Sequence, residues 1–262
     1  MEIKFNKFIL GNSELTLDIN NVNIIGILTN NIENVLKLLA LNLPLKGEII
    51  INSQRVTDEN IFKYRRMISI VKPYKQLSFV KTVLDYMNYI ITSKNLIIKN
   101  PNKKIIDSLR IVGLDEKILL RDIVTLSSSE KELIQISVSL LSNPEVIIIT
   151  NQFLKLDLKN QKKIYMLLQR LKEQYKKIII IVNDDADIIY KYSTRVIVIK
   201  NNKILADNNE KDVFCKVEML RKSKFDIPKI VDFTHVAKKN KKVKLDYHKD
   251  IRDIIKDIYK HV

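Results

Sequence analysis

The chain has 262 residues, 46% of them hydrophobic, and a formal net charge of +16, which is enough to bury a sizeable core and rules out a disordered polyelectrolyte. Apolar runs such as Val146 to Ile149 and Ile178 to Val182 are four or five residues long, far short of the roughly 20 that a spanning helix needs. The single cysteine, Cys215, excludes an internal disulfide and points to a cytosolic address.

In chain order, the opening Met-Glu-Ile-Lys-Phe-Asn alternates like a strand and lacks the basic and apolar regions of a signal peptide. Residues 23 to 28, Asn-Ile-Ile-Gly-Ile-Leu, read as a buried strand, and Glu33 to Leu41 carries apolar residues at helical spacing. Gly47-Glu-Ile-Ile-Ile-Asn returns as a strand, and Met67-Ile-Ser-Ile-Val is another, ended by Pro73. Residues 77 to 142 read as helical almost throughout, with breaks at Asn100-Pro101 and Gly113. Val146 to Thr150, Lys177 to Val182 and Arg195 to Ile199 are predicted strands, and a charged amphipathic helix over 158 to 174 separates the first two. Strands alternating with helices imply an α/β protein with a mostly parallel sheet.

The positive charge has two functional readings, attraction to nucleic acid or to an anionic membrane surface. Against both, lysine is spread along the whole chain, and only Lys238, Lys239, Lys241, Lys242 and Lys244 form a dense run. No aromatic residue interleaves that run as a base-stacking surface requires, so no nucleic-acid partner is expected. Glycine is the sharper anomaly. Average usage would give about 18 in this length, and only Gly11, Gly26, Gly47 and Gly113 are present. Loops that cradle phosphate need glycine so that backbone amides can approach the anion.

Strand, turn, helix, helical insertion, then strand and helix again resembles the ATPase subunits of ABC transporters. Leu36-Lys-Leu-Leu-Ala followed by Lys46-Gly-Glu-Ile-Ile-Ile-Asn is similar to the helix and strand after the family's P-loop. Asn143-Pro-Glu-Val-Ile-Ile-Ile is similar to the run into its Walker B strand, and Arg195-Val-Ile-Val-Ile-Lys-Asn-Asn-Lys-Ile to its late hairpin. From Leu126, the first signature residue, to the Walker B position Thr150 is 24 residues, and from there to the switch-histidine position Asp184 is 34, both as in the family. The resemblance implies an ABC-type P-loop NTPase fold over 1–212: a RecA-like, mostly parallel sheet with antiparallel strands and a helical subdomain inserted at about 77–142.

Over those positions the chemistry has been replaced. A P-loop G-x-x-x-x-G-K-[ST] uses glycine amides and a lysine to hold phosphates and a hydroxyl to hold Mg²⁺. Here Gly26 is aligned with the first glycine, Asn31 with the second, Ile32 with the lysine and Glu33 with the hydroxyl. Glu33 also has a structural reading, since a carboxylate is stabilising at a helix N-terminus. The Walker B strand ends in Thr150 and Asn151, neither an anionic magnesium ligand nor a general base. The switch histidine is Asp184, Lys72-Pro73 stands at the glutamine loop, and the signature reads Leu126-Ser127-Ser128-Ser129-Glu130. Ser127 and Glu130 have capping-box spacing, so that segment reads as a helix start. Leu156-Asp157 retains a short loop that in the family runs along the dimer interface. No residue is expected to be catalytic, and Mg-ATP, the family's cofactor, is not expected to bind.

Asp212-Val-Phe, Val217-Glu-Met-Leu-Arg and Phe225-Asp-Ile-Pro-Lys-Ile-Val resemble the C-terminal extension of ATPase subunits from energy-coupling-factor importers. Asp250-Ile-Arg-Asp-Ile-Ile-Lys-Asp-Ile-Tyr is similar to that extension's final helix, which implies a small, mainly helical partner domain over 213–262. Its apolar residues Phe214, Met219, Leu220, Phe225, Ile227, Ile230 and Val231 are expected to supply part of a surface that meets a partner. The resemblance implies a non-catalytic subunit at the cytoplasmic face of a membrane, paired with an active ATPase and docked on a transmembrane coupling subunit. Two rivals stay open: a weakly active ATPase with unorthodox residues, and a basic nucleic-acid-binding module on the same fold. His235, His248 and His261 lie 13 residues apart in turn with no ligand-spaced partners, so no metal site is expected, and Cys215 reads as a buried apolar residue.

Overall fold

The structure is a computed structural model that describes residues 1–74, 77–150, 156–241 and 245–260. In chain order its first half comprises β1 (Ile3–Leu10), β2 (Ser13–Ile19), β3 (Ile24–Thr29), α1 (Ile32–Leu39), β4 (Glu48–Ile51), β5 (Gln54–Arg55), α2 (Ile61–Arg65), β6 (Ile68–Val71), α3 (Val83–Ser93), α4 (Pro101–Val112) and α5 (Ser128–Leu140). The rest comprises β7 (Val146–Ile149), α6 (Leu158–Glu173), β8 (Ile178–Asn183), α7 (Ala186–Tyr192), β9 (Arg195–Lys200), β10 (Lys203–Asn209), α8 (Glu210–Phe214), α9 (Val217–Lys222), α10 (Lys229–Lys241) and α11 (Ile251–Lys260). Among the described residues no helix is long and apolar enough to cross a membrane. The chain falls into two compact units, one of Met1–Glu2 with Ile51–Ile179 and the other of Ile3–Ile50 with Ile180–Val262.

In the unit of 51–179, β6 pairs with β7 in parallel, Ile68 opposite Val146 through Val71 opposite Ile149. Helices α3, α4 and α5 enclose a separate apolar core in which Val83, Met87, Ile105, Leu109, Ile123 and Ile134 are buried. Two polar pairs sit inside that helical core. The Ser108 and Ser137 hydroxyls meet at 2.8 Å, and the Gln135 amide donates to the Tyr86 hydroxyl at 3.0 Å, so their buried polar atoms are satisfied. Asn100 caps α4 with Pro101 at its first position, and Gly113 ends it in the left-handed conformation, the sequence breaks thus marking the helix's two ends.

In the other unit, β1 and β2 form an antiparallel hairpin, and β3 runs parallel to β9, which pairs antiparallel with β10. Every residue of β3 is buried, as expected of a strand covered on both faces. Strand β2 reads Ser-Glu-Leu-Thr-Leu-Asp-Ile with a strictly alternating buried face, a period-2 signal that was available in the sequence and is absent from the strands predicted there. The scarcity of glycine has a structural answer. Asn52, Asn95, Asn143, Asn201 and Asn202 all adopt positive φ, because the asparagine side chain tolerates the left-handed region best after glycine. Asn201-Asn202 thereby makes the two-residue turn between β9 and β10, where both central residues need positive φ.

The segment after residue 212 is a run of short helices packed within this same unit. Of the seven apolar residues expected to share in a partner surface, Phe214, Leu220, Phe225 and Val231 are buried within the chain itself, a correction for those four, while Met219, Ile227 and Ile230 are half-buried. Phe214 meets Tyr190 of α7 edge to face, ring centroids 5.3 Å apart. Lys249 adds a polar tie, its ammonium donating to the Ser193 carbonyl at 2.6 Å and pairing with Glu210 at 3.1 Å. The apolar side chains this segment does leave exposed are others: Phe233 and Val236 on α10, and Ile251, Ile255 and Tyr259 on α11. Cys215, expected buried, is exposed at the end of α8.

Candidate functional site

The junction of β3 and α1 is where a phosphate-binding loop would lie. A P-loop is a strand, a glycine-rich loop and a helix in sequence. Here β3 continues through Thr29, and Asn31 is already the N-cap of α1. One residue, Asn30, separates strand from cap. The apolar side chains of Ile27 and Leu28 explain the extension. Both are fully buried, and Gly26, Ile27, Leu28 and Thr29 stand opposite Val196 to Ile199 of β9.

Gly26 is a strand residue, as the apolar run over 23 to 28 predicts. What requires glycine there is packing: a Cβ at that position would come 2.1 Å from Ser193 Oγ and 2.9 Å from Ile189 Cγ2. The close approach of α7 to the sheet is thus set by the absent side chain.

Two amides of the junction, those of Asn31 and Asn34, are engaged by the chain itself. The Asn31 N–H donates to Thr29 Oγ1 at 3.1 Å, and the Asn34 N–H donates to Asn31 Oδ1 at 3.1 Å. Ile32 and Glu33 occupy the first turn of α1, and Glu33 Oε1 lies 2.6 Å from the Lys37 ammonium one turn on. The hydrogen bond and charge of Lys37 hold the Glu33 carboxyl below the usual range. The ammonium of this helix is thus paired with a carboxylate of the same helix.

Beside the junction lies a cleft of about 430 Å³ lined by the β1–β2 turn, Asn30 and Asn31, and the β9–β10 turn. Asn30 Nδ2 reaches Asn201 Oδ1 at 3.5 Å, Asn34 Nδ2 reaches Asn202 Oδ1 at 3.4 Å, and the Ser13 hydroxyl donates to the Asn201 carbonyl at 3.4 Å. Sequence reasoning assigns Asn201 and Asn202 to a hairpin and misses this cleft; their doubled amides at a two-residue turn were the available signal. Among the described residues the lining offers neutral donors and acceptors and no charged group.

Of the other aligned positions, Ser127, Glu130 and Asp157 take part in helix caps. Ser127 caps α5, its hydroxyl accepting from the Glu130 N–H at 3.2 Å while the Glu130 carboxylate accepts from the Ser127 N–H at 2.8 Å. This is the capping box expected from the spacing. Arg121 forms an ion pair with Glu130, and the Ser127 backbone bond above all holds that carboxyl below its usual range. In the first turn Ser128 is exposed and Ser129 half-buried. Asp157 caps α6, accepting from the Asn160 N–H at 2.8 Å.

Asp184 is exposed between β8 and α7, whose cap is the neighbouring Asp185. Pro73 is exposed after β6. Thr150 follows β7, half-buried, and Asn151 lies outside the described residues. Gly26, Asn31, Ile32, Glu33 and Asp184 belong to one compact unit, and Pro73, Ser127, Glu130 and Thr150 to the other.

The α/β architecture with its helical core, and the order of its elements, match solved structures. The chain superposes on cbiO1 from Clostridium perfringens, described as part of the ABC transporter complex cbiONQ, with a TM-score of 0.70 at 22% identity, covering 89% of this chain and 98% of that one. The fold is that of an ABC ATPase cassette. A second match is the ATP-binding cassette MJ0796, solved as a dimer bound to ADP and Pi, with a TM-score of 0.62 at 20% identity over 79% of this chain and 98% of that one.

In sequence, its homologues are ATP-binding proteins of energy-coupling factor transporters. EcfA1 of Streptococcus agalactiae is 27% identical over 183 residues, 70% of this chain. EcfA3 of Oenococcus oeni is 26% identical over 250 residues, 90% of this chain and 84% of its own length. The match spans 65% of the length of the Streptococcus agalactiae relatives. No family model matches the chain.

Proposed function

We propose that this chain is a catalytically degenerate ABC ATPase subunit of an energy-coupling-factor-type importer, in which it acts as a structural partner for an active ATPase. The observation that carries the reading is the β3–α1 junction. One residue stands between strand and helix cap, the Asn31 and Asn34 amides are bonded to Thr29 and Asn31, and the positions aligned with the P-loop lysine and hydroxyl hold Ile32 and Glu33. A Mg-triphosphate does not fit those residues. It brings several negative charges to a helix start that already carries Glu33, and the Lys37 ammonium is paired with that carboxylate. No step of ATP hydrolysis is therefore assigned to Thr150, Asp184 or Glu130.

The relatives are named as ATP-binding proteins of energy-coupling factor transporters, and the proposal extends to partners: a second ATP-binding subunit and membrane components, at the cytoplasmic face of a membrane. The exposed Ile251, Ile255 and Tyr259 of α11 are a surface such a partner would cover. The weakly active alternative is favoured by one observation, the "ATP-binding" in the relatives' names. Calorimetry of the full chain with Mg-ATP decides between them. No heat of binding at millimolar nucleotide is expected, and a dissociation constant in the micromolar range overturns the degenerate reading. Affinity purification of the tagged chain from its native membrane, with an ATPase and a membrane protein recovered in fixed proportion, tests the partners.

A further inference from the structure

A second groove, of about 650 Å³, lies wholly in the unit of 51–179, between the end of α2, the α3–α4 connection and the end of α5. Among the described residues its lining carries Arg65, Arg66, Lys94, Lys99 and Lys104 and no acidic residue. Between those cations the surface is aliphatic, formed by Ile68, Leu96, Ile97, Ile98 and Leu141. We propose that this groove docks an acidic, aliphatic-bearing polypeptide segment of a partner protein. The proposal stands independently of whether the chain binds nucleotide.

The connection that forms the groove's outer wall is fixed at both ends, so its exposed side chain is held outward by the fold. Lys94 caps α3, and Asn95 turns left-handed with φ 48°. The Leu96 N–H then bonds to the Ile91 carbonyl at 3.0 Å, and its side chain packs on the helical core. Asn100 caps α4 five residues after Asn95. Ile97, between them, is 95% exposed. A fully exposed isoleucine between two lysines, on a loop anchored by its neighbour, is a contact residue without a contact inside the chain.

Further cations lie beside the lining. Lys94 is exposed as a residue, yet desolvation around its ammonium first, and then the charge of Lys72, hold it below the usual lysine range. Lys177, bonded to Asn143 at the groove's edge at 3.0 Å, is lowered by burial, with Glu145 acting against that and Lys104 adding to it. Glu145, the carboxylate felt by Lys177, is not in the lining. An acidic occupant would meet a lining of five cations with no acidic residue among its described members, which is electrostatic complementarity of the kind that selects partners.

The occupant's class follows from the mixture of surfaces and from shape. Nucleic acid would use the cations but gains nothing from aliphatic walls, and no aromatic residue in the described lining offers a base a stacking face. A bilayer surface is flat and reaches a rim, not a concave floor. A peptide carrying Asp or Glu beside Leu or Ile satisfies both, with the acids at the cationic rim and the aliphatics on Leu96, Ile98 and Leu141.

The test is fluorescence anisotropy of the full-length chain with a labelled peptide of alternating Glu-Glu and Leu-Leu pairs. Its arms are the same peptide with serine for leucine, vesicles of phosphatidylcholine with and without phosphatidylglycerol, and single-stranded DNA. Saturable binding of the Glu/Leu peptide is expected, weakened roughly tenfold by Lys94→Glu with Lys99→Glu and several-fold by Ile97→Ser. The Glu/Ser peptide is expected to bind several-fold more weakly. These side chains are exposed, so unchanged melting temperatures of the variants keep the comparison clean. Absence of saturable binding, equal binding by the variants, or vesicles or DNA proving to be the ligand that those substitutions release, each overturns the proposal.

Discussion

The Oδ1 of Asn31 accepts the N–H of Asn34 at 3.1 Å, closing the first turn of α1 on itself. That bond uses the Asn34 amide, one of the helix-start donors otherwise open to an anion. Asn31→Ala should cost about 1 kcal/mol, the usual worth of a side-chain N-cap, lowering the melting temperature by roughly 2–4 °C for a chain of this size. Millimolar Mg-ATP should leave the melting temperatures of both proteins unchanged, since a ligand stabilises only what it binds. A nucleotide-dependent rise in either protein would contradict the engagement of these amides.

Gly26 and Ser193 test the packing claim. A Cβ at residue 26 would lie 2.8 Å from Ser193 Cβ as well as 2.1 Å from its hydroxyl, so Gly26→Ala is expected to destabilise by about 1–3 kcal/mol through overpacking. Ser193→Gly removes both atoms. The double variant should therefore recover part of the loss, a coupling that chemical denaturation of the four proteins measures. Additive effects would place the need for glycine elsewhere.

The strands β3, β7, β8 and β9 are legible in the sequence because each is an uninterrupted apolar run, and the structure buries nearly every residue of them. The α5 cap is legible because its spacing is a local device. Helix α2 is not, since five residues, Ile-Phe-Lys-Tyr-Arg, are too few to show a period. At the β3–α1 junction the strand read over 23 to 28 runs one residue further, through Thr29, because a polar threonine gives no hydrophobic signal although the fold buries it. The burial of Phe214 and Leu220 is hidden because composition shows that an apolar residue will be covered, not by what.

The capping box of α5 makes a pH-dependent contribution. Glu130 is held below its ordinary value of 4.5, chiefly by the Ser127 backbone N–H. Its contribution is fully present above the unfolded-state value and is lost as pH falls through the lowered folded value. Glu130→Gln should therefore destabilise the protein near neutrality, and the difference from the parent should shrink in acid, below about pH 4.5. Ser127→Ala should cost about 1 kcal/mol at neutral pH. Urea midpoints at pH 7 and pH 3 read both. A Glu130→Gln difference that stays constant between these pH values would mean that the carboxylate's charge contributes nothing to the cap.

Removing residues 213–262 should unfold the unit that contains them and not merely release a partner surface. Phe214 is fully buried against Tyr190 at 5.3 Å, and the desolvation there pushes the Tyr190 hydroxyl pKa up to about 12. Leu220, Val231 and Ile254 are each at most 1% exposed, so the deletion takes away several side chains whose individual truncation costs about 2–5 kcal/mol. It also strips Ser193 and Glu210 of their bond to Lys249. A domain's net stability is about 5–15 kcal/mol, so the loss exceeds what the remaining strands can absorb. Phe214→Ala alone should cost about 3–5 kcal/mol, read as a shift in the denaturation midpoint. Substituting exposed Ile251, Ile255 and Tyr259 with serine should change stability by less than about 1 kcal/mol, which makes those residues the fair probe of partner binding. Circular dichroism and limited proteolysis of the truncated chain decide the matter: retained cooperative melting and protease resistance in residues 1–212 would mean that α7 and the β9–β10 hairpin hold without the C-terminal helices.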